Sequence, residues 1–181
     1  DIKAGPVAIP GRLTTAWLLL RLFEPTIENV VVMPFDRIME AVSLGQVSTG
    51  LIIHESRFTY PRFNLIKLLD LGEWWERFSG LPIPLGGILG KRSLGQDTLG
   101  KIEQAIRESI LYARAHEPEL LAYCGKHSQE MDPAVMRSHI DLYVNDFSLD
   151  LGDDGIAAVK RLFQEAESRD IFPPSEKDLL A

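Results

Sequence analysis

A chain of 181 residues with 45% hydrophobic and 25% charged residues has ordinary globular composition and is long enough to bury a full core in one or two domains. A net charge of -7 without any block of Lys or Arg argues against a nucleic-acid surface, so no nucleic-acid partner is expected. The single cysteine, Cys124, excludes an intrachain disulfide and a thiolate metal cluster and reads as a buried inert thiol, and the longest apolar runs, such as 16–20, are far too short to cross a bilayer.

Val7-Ala8-Ile9 predicts a short strand that runs into the Pro10-Gly11 turn. Thr14 and Thr15 then precede the apolar run 16–23, which predicts a helix stopped near Pro25. A strand, a tight turn and a helix end carrying two hydroxyls make a candidate anion site, because free amides and the helix dipole favour a carboxylate there. The competing role for a threonine at this place is a simple helix cap. Asn29 to Pro34 is a β-branched strand and Asp36 to Leu44 a helix, with Asp36 as its N-cap and Gly45 just past its end.

The third strand is expected from Ser48 to His54, with Leu51-Ile52-Ile53 buried on both faces. Strands and helices alternating through short links signal βαβ units and a parallel sheet. His54 then stands at the carboxyl end of its strand, where ligands of open α/β sheets bind; the alternative is a strand-end histidine hydrogen-bonded to a loop. Glu55, Arg57 and Tyr60 are placed to orient the imidazole or touch a substrate, or else to serve as solvated loop residues. Ser56 can share a face with His54, although a catalytic dyad of the two is not favoured.

Further along, Leu65 to Leu71 predicts another strand, and Trp74-Trp75 predicts a short helix on which at least one indole packs in the core. The Pro- and Gly-dense segment from Gly80 to Gly87 reads as a crossing between two lobes, with Ile88-Leu89-Gly90 as a last strand. Four helices are expected after it. They cover Leu99 to Ala115, a segment opened by Glu117-Pro118, a segment opened by Asp132-Pro133, and Asp153 to Ser168 with Ile156, Val159, Leu162 and Phe163 buried. These apolar faces need a sheet that at most one strand supplies, so the helices either form their own bundle or pack on strands that this chain lacks.

The four histidines and one cysteine show no zinc spacing, and the pair His127 and Glu130 lacks partner carboxylates, so no metal is expected. Serine-elbow, Walker A and dinucleotide fingerprints are all missing. What remains is a coherent pair: the helix end at Thr14-Thr15-Ala16 and His54, both at one sheet edge. An imidazole beside a bound carboxylate is suited to taking a proton from a hydroxyl or an activated carbon.

The segments Ala8 to Ala16, Leu51 to Pro61, Asp70 to Glu76 and Leu81 to Gly87, followed by Gln129-Glu130-Met131 and Tyr143 to Ser148, together resemble the 1,4-dihydroxy-6-naphthoate synthase family of the futalosine route to menaquinone. The resemblance covers essentially the whole chain. It implies an α/β, two-lobed fold like type II periplasmic binding proteins with the active site in the cleft. It also implies a lyase that needs no cofactor and cleaves cyclic dehypoxanthine futalosine, an anionic small molecule, to dihydroxynaphthoate. By motif match His54 would be the general base, and Thr15 and Ala16, with Thr14 less directly, would bind substrate at the helix end. Family members carry an N-terminal segment that this chain is expected to lack.

On that reading, residues 1–83 form the smaller lobe with the parallel sheet and site motifs. Residues 84–181 supply a crossing strand and helices to a larger lobe that is incomplete in this chain. The rival readings are the chorismate-dehydrating enzyme of the same pathway and a noncatalytic carboxylate-binding protein, since folds of this kind host both. A cytoplasmic location is the default expectation for a chain with one cysteine and no signal-peptide pattern, and the sequence leaves the oligomeric state open.

Overall fold

A computed structural model describes residues 2–127, 132–176, 178 and 180. In chain order the elements are β1 (Val7–Ile9), α1 (Thr15–Phe23), β2 (Val30–Val32), α2 (Phe35–Ser43), β3 (Thr49–Gly50), α3 (Ser56–Thr59), α4 (Leu71–Ser79), α5 (Gln96–Ala115), α6 (Glu117–Cys124), α7 (Pro133–Tyr143) and α8 (Gly152–Ser168), with 3-10 turns at Tyr60–Phe63, Arg92–Leu94 and Asp146–Ser148. The strands form one parallel sheet in the order β2-β1-β3, with Val7 opposite both Val30 and Thr49. Two compact units result: residues 1–84 with 153–181, and residues 85–152.

In the first unit the pleat of β1 divides the core. Val7 and Ile9 pack with Trp17, Leu20 and Ile27 on the α1 side, while Ala8 packs with Ile38, Ala41 and Val47 on the α2 side. Each fully buried aliphatic side chain there contributes about 1.5–3 kcal/mol. Gly50 lets β3 approach α2 closely, since a Cβ at that position would run into the Ile38 side chain and stand 3.0 Å from Val42 Cγ2. α2 ends on Gly45 at φ 70, whose amide bonds the Val42 carbonyl at 3.0 Å while Gln46 reaches back to Ala41 at 2.9 Å, the Schellman arrangement.

A third cluster joins Leu19 and Leu22 of α1, Trp75 of α4 and Leu162 of α8. Trp75 is wholly buried and donates its indole N–H to the Pro82 carbonyl at 3.1 Å, and Trp74 lies edge-on to Phe23 and stacked on Phe78. Arg169, just past α8, donates to the Leu22 carbonyl and sits over the Phe78 ring. The segment after Gly152 therefore belongs with residues 1–84, although the sequence reading placed all of 84–181 in the other lobe.

Several expected elements differ. The strand foreseen from Ser48 to His54 is confined to Thr49–Gly50, and Leu51, Ile52 and Ile53 are half-buried extended chain. The segment expected as strand at Leu65–Leu71 is irregular, with Ile66, Leu68 and Leu69 exposed, because Asp70 caps α4 and draws the chain into a helix at Leu71. Ile88-Leu89-Gly90 forms no crossing strand, and Ile88 and Leu89 are exposed. Asp36 lies in the first turn of α2 behind Pro34, which occupies the N-cap position without a side-chain bond. On α8 the buried residues are Gly155, Ala158, Leu162 and Ala166, whereas Ile156 is exposed. Cys124 is half-buried and not fully enclosed.

The second unit contains α5, α6 and α7. Arg137 of α7 pairs with Glu117 of α6 at 2.8 Å, and Arg114 of α5 pairs with Asp146 at 3.1 Å. Among its described residues Met136 is the only buried hydrophobic, and the 20-residue α5 has none. Surface ion pairs of this kind contribute little, typically about 0–1 kcal/mol each.

Candidate functional site

β1 ends at Ile9, and Pro10 and Gly11 turn the chain toward α1. Thr14 is the helix cap: its hydroxyl accepts the Trp17 amide at 3.2 Å and donates to the Gly11 carbonyl at 2.8 Å. The Thr14 carbonyl accepts the Leu18 amide at 3.1 Å. The Trp17 amide, one of the four orphan donors of the helix end, is thereby satisfied, and the Leu18 bond is the first of the regular helix. The amides of Thr15 and Ala16 have no acceptor among the described residues. Both residues are half-buried, and the Arg12 guanidinium lies 6.0 Å above the Trp17 ring beside them. The end of α1 thus presents two amides, the positive pole of a nine-residue helix and a nearby cation.

β3 is the neighbour of β1 in the sheet and runs parallel to it, with the Leu51 amide bonded to the Ala8 carbonyl at 2.8 Å. The chain continues past Gly50 to His54, which therefore follows the carboxyl end of β3 as Thr14–Ala16 follow that of β1. His54 has φ 56 in the left-handed region, a conformation that costs a non-glycine residue about 1 kcal/mol and clusters at functional sites. Its carbonyl accepts the Arg57 amide at 3.3 Å, closing the turn into α3. Ser56 is buried in the first turn of α3, and the Thr59 hydroxyl donates to the Glu55 carbonyl at 3.3 Å.

β2 also reaches this edge. The Met33 amide donates to the Ile9 carbonyl at 3.1 Å, and Phe35, the first residue of α2, places its ring 5.0 Å from the His54 ring at an interplanar angle of 71°. Arg57 donates to Asp70 Oδ2 at 2.8 Å, and Asp70 Oδ1 accepts the amides of Gly72 at 3.0 Å and Glu73 at 3.2 Å. The mostly buried Asp70 carboxylate thus ties the turn that carries His54 to the N-terminus of α4. Tyr60 opens a 3-10 turn behind α3.

Sequence reading pointed to the helix end and to His54 but passed over Phe35 and Asp70. The signal for Asp70 was present as Asp70-Leu71-Gly72-Glu73, a cap residue followed three positions on by a glutamate. For Phe35 the signal was weaker: an aromatic residue directly after Pro34 at the carboxyl end of a strand. No group of three metal-ligating side chains occurs among the described residues. Glu130, the partner considered for His127, and the motif Gln129-Glu130-Met131 lie outside the described residues. No helix among the described residues is long and apolar enough to cross a membrane.

The chain is 50% identical over 173 residues to a Thermus thermophilus protein named 1,4-dihydroxy-6-naphthoate synthase, an alignment covering 96% of this chain and 63% of that protein. A Streptomyces coelicolor protein of the same name is 45% identical, with 100% of this chain and 66% of that protein covered. The chain therefore spans somewhat less than two thirds of the length of these curated relatives. A crystal structure of protein AF1704 from Archaeoglobus fulgidus superposes with a TM-score of 0.88 at 38% identity, covering 93% of this chain and 63% of that one. The family model described as menaquinone biosynthesis matches residues 1–168, and the chain belongs to that menaquinone-biosynthesis family.

Proposed function

We propose that this chain is the site-bearing part of a lyase that converts cyclic dehypoxanthine futalosine to 1,4-dihydroxy-6-naphthoate, with His54 as general base. The observation that carries the reading is topological. Two parallel neighbouring strands deliver, to the same sheet edge, a helix end with two amides that have no acceptor among the described residues and a histidine in a left-handed backbone conformation. The amides of Thr15 and Ala16 receive the carboxylate of the anionic substrate, and Thr14 contributes by holding that end in shape. His54 takes a proton from the substrate, the electron pair released drives cleavage of the carbon–carbon bond joining ring and sugar, and the sugar-derived fragment departs while a proton returns to the carbon that takes the bonding pair. Aromatisation of the new ring favours that step.

No cofactor is assigned to this chemistry, which needs only a base and an anchor for the anion. The resemblance extends the reading to a two-lobed fold like type II periplasmic binding proteins, with the substrate in a cleft, and the single cysteine makes a cytoplasmic location the default. The relatives' printed name supports the product, since both are called 1,4-dihydroxy-6-naphthoate synthase.

The test is turnover of cyclic dehypoxanthine futalosine, followed as naphthoate by mass spectrometry, in the protein as its host expresses it. His54→Ala is expected to abolish product while substrate affinity changes by less than about tenfold. Unchanged turnover in that variant would refute the base assignment. Dehydration of chorismate in place of naphthoate formation would move the protein to the other enzyme of the pathway, and saturable binding without product would make it a carboxylate-binding protein.

A further inference from the structure

The geometry points to Phe35 as a positioning residue for the His54 imidazole, an inference that rests on the proposed proton-transfer role of His54. The two rings meet edge to face, with centroids 5.0 Å apart and planes inclined by 71°. This lies within the range preferred by aromatic pairs, in which the electropositive rim of one ring meets the electronegative face of the other.

The anchoring of Phe35 is what makes the contact directional. Its backbone follows Pro34, held at φ -53 and ψ 137, and opens a helix seated on the sheet through the fully buried Ile38. The strand before it is bonded to β1 through the Met33 amide and the Ile9 carbonyl at 3.1 Å. The backbone of Phe35 therefore moves with the sheet and α2, and its ring is half-buried beside His54. His54 sits on a short turn outside regular structure, where the imidazole has two side-chain torsions to restrain.

A phenyl ring neither gives nor takes a proton, so it restrains the imidazole without fixing a tautomer by hydrogen bonding. The ring contact narrows the torsions open to the imidazole, and a base held less closely spends less time aligned with the reacting proton. Misalignment lowers the rate of the chemical step while leaving the contacts that bind the anion intact. Phe35 thus belongs to the site as the contribution of β2, alongside the amides that follow β1 and the histidine that follows β3.

The test uses F35L and F35Y in the protein as its host expresses it, with the futalosine substrate, alongside proton NMR of the His54 ring. F35L is expected to lower kcat by about tenfold or more with KM within about twofold, and F35Y to restore kcat to within about threefold. The His54 ring resonances should move in F35L as the phenyl ring current is lost. F35M, which keeps bulk without a ring, gives the same comparison if F35L does not fold. A folded F35L with unchanged kcat overturns the inference, and so does a loss of kcat with His54 resonances left in place. Turnover persisting in H54A would remove the proton-transfer reading and the positioning role together, whereas an inactive H54A beside a fully active F35L strikes the positioning role alone.

Discussion

Thr14→Ala tests whether this threonine is above all a helix cap. The hydroxyl makes two bonds in the folded protein, from the Trp17 amide at 3.2 Å and to the Gly11 carbonyl at 2.8 Å. Each contributes about 1 kcal/mol net, and replacing a threonine cap by alanine costs about 0.5–2 kcal/mol, so the expected loss is about 1–2 kcal/mol. With a urea slope of about 2 kcal/mol per molar, the midpoint should fall by about 0.5–1 M. The assay is well placed, because all three tryptophans, Trp17, Trp74 and Trp75, lie in the first unit and their fluorescence reads its unfolding. Thr14→Ser keeps the cap oxygen and should stay within about 0.5 kcal/mol of the parent. A loss below about 0.3 kcal/mol in the alanine variant, or equal losses in the two variants, would refute the capping argument.

Trp75→Phe removes an indole N–H from a fully buried site and leaves the Pro82 carbonyl without its 3.1 Å donor, so unfolding stability should fall by about 2–3 kcal/mol in urea titration. A change under about 1 kcal/mol would mean that the site relaxes around the smaller ring. Lys3, with Nζ 2.8 Å from the Glu24 carboxylate, and the Thr26 side chain lower the Glu24 pKa from 4.5 to about 2. Because the folded value is the lower one, the resulting stabilisation is present above pH 4.5 and is lost as the pH falls toward 2. Lys3→Met should return the carboxyl toward its ordinary range in an NMR titration, and an unmoved titration would contradict the assigned cause.

The opening βαβαβ order was legible because its signals agree. Val7-Ala8-Ile9 is β-forming, Thr14 can cap, the run after it is apolar at helical spacing, and Gly45 supplies the left-handed residue that ends α2. The misreadings share a cause in apolar runs taken as buried strand. Leu65-Ile66-Lys67-Leu68-Leu69 looks like a strand by composition, but the fold uses that stretch as a lead into the Asp70 cap and leaves Ile66 81% exposed. On α8 bulky residues drew attention away from Gly155, Ala158 and Ala166, whose small size suits them to a tightly packed face. His54 was legible as a candidate because a lone histidine after an apolar run stands out by residue type. The contact of Phe35 with His54 and the ion pair of Asp70 with Arg57 were not legible, because they join residues 19 and 13 positions apart along the chain.

The return of α8 to the first unit has a consequence for synthesis. Leu19, Leu22 and Trp75 are translated early, yet Leu162 and Ile171, which close over them, follow only after residues 85–152. At about 5–20 residues per second, the ribosome takes roughly 3–14 s to make the intervening stretch. For that interval an apolar surface around Trp75 awaits its cover on the nascent chain, open to chaperones. Emergence of α8, and not of the sheet, sets the moment at which the first unit can close.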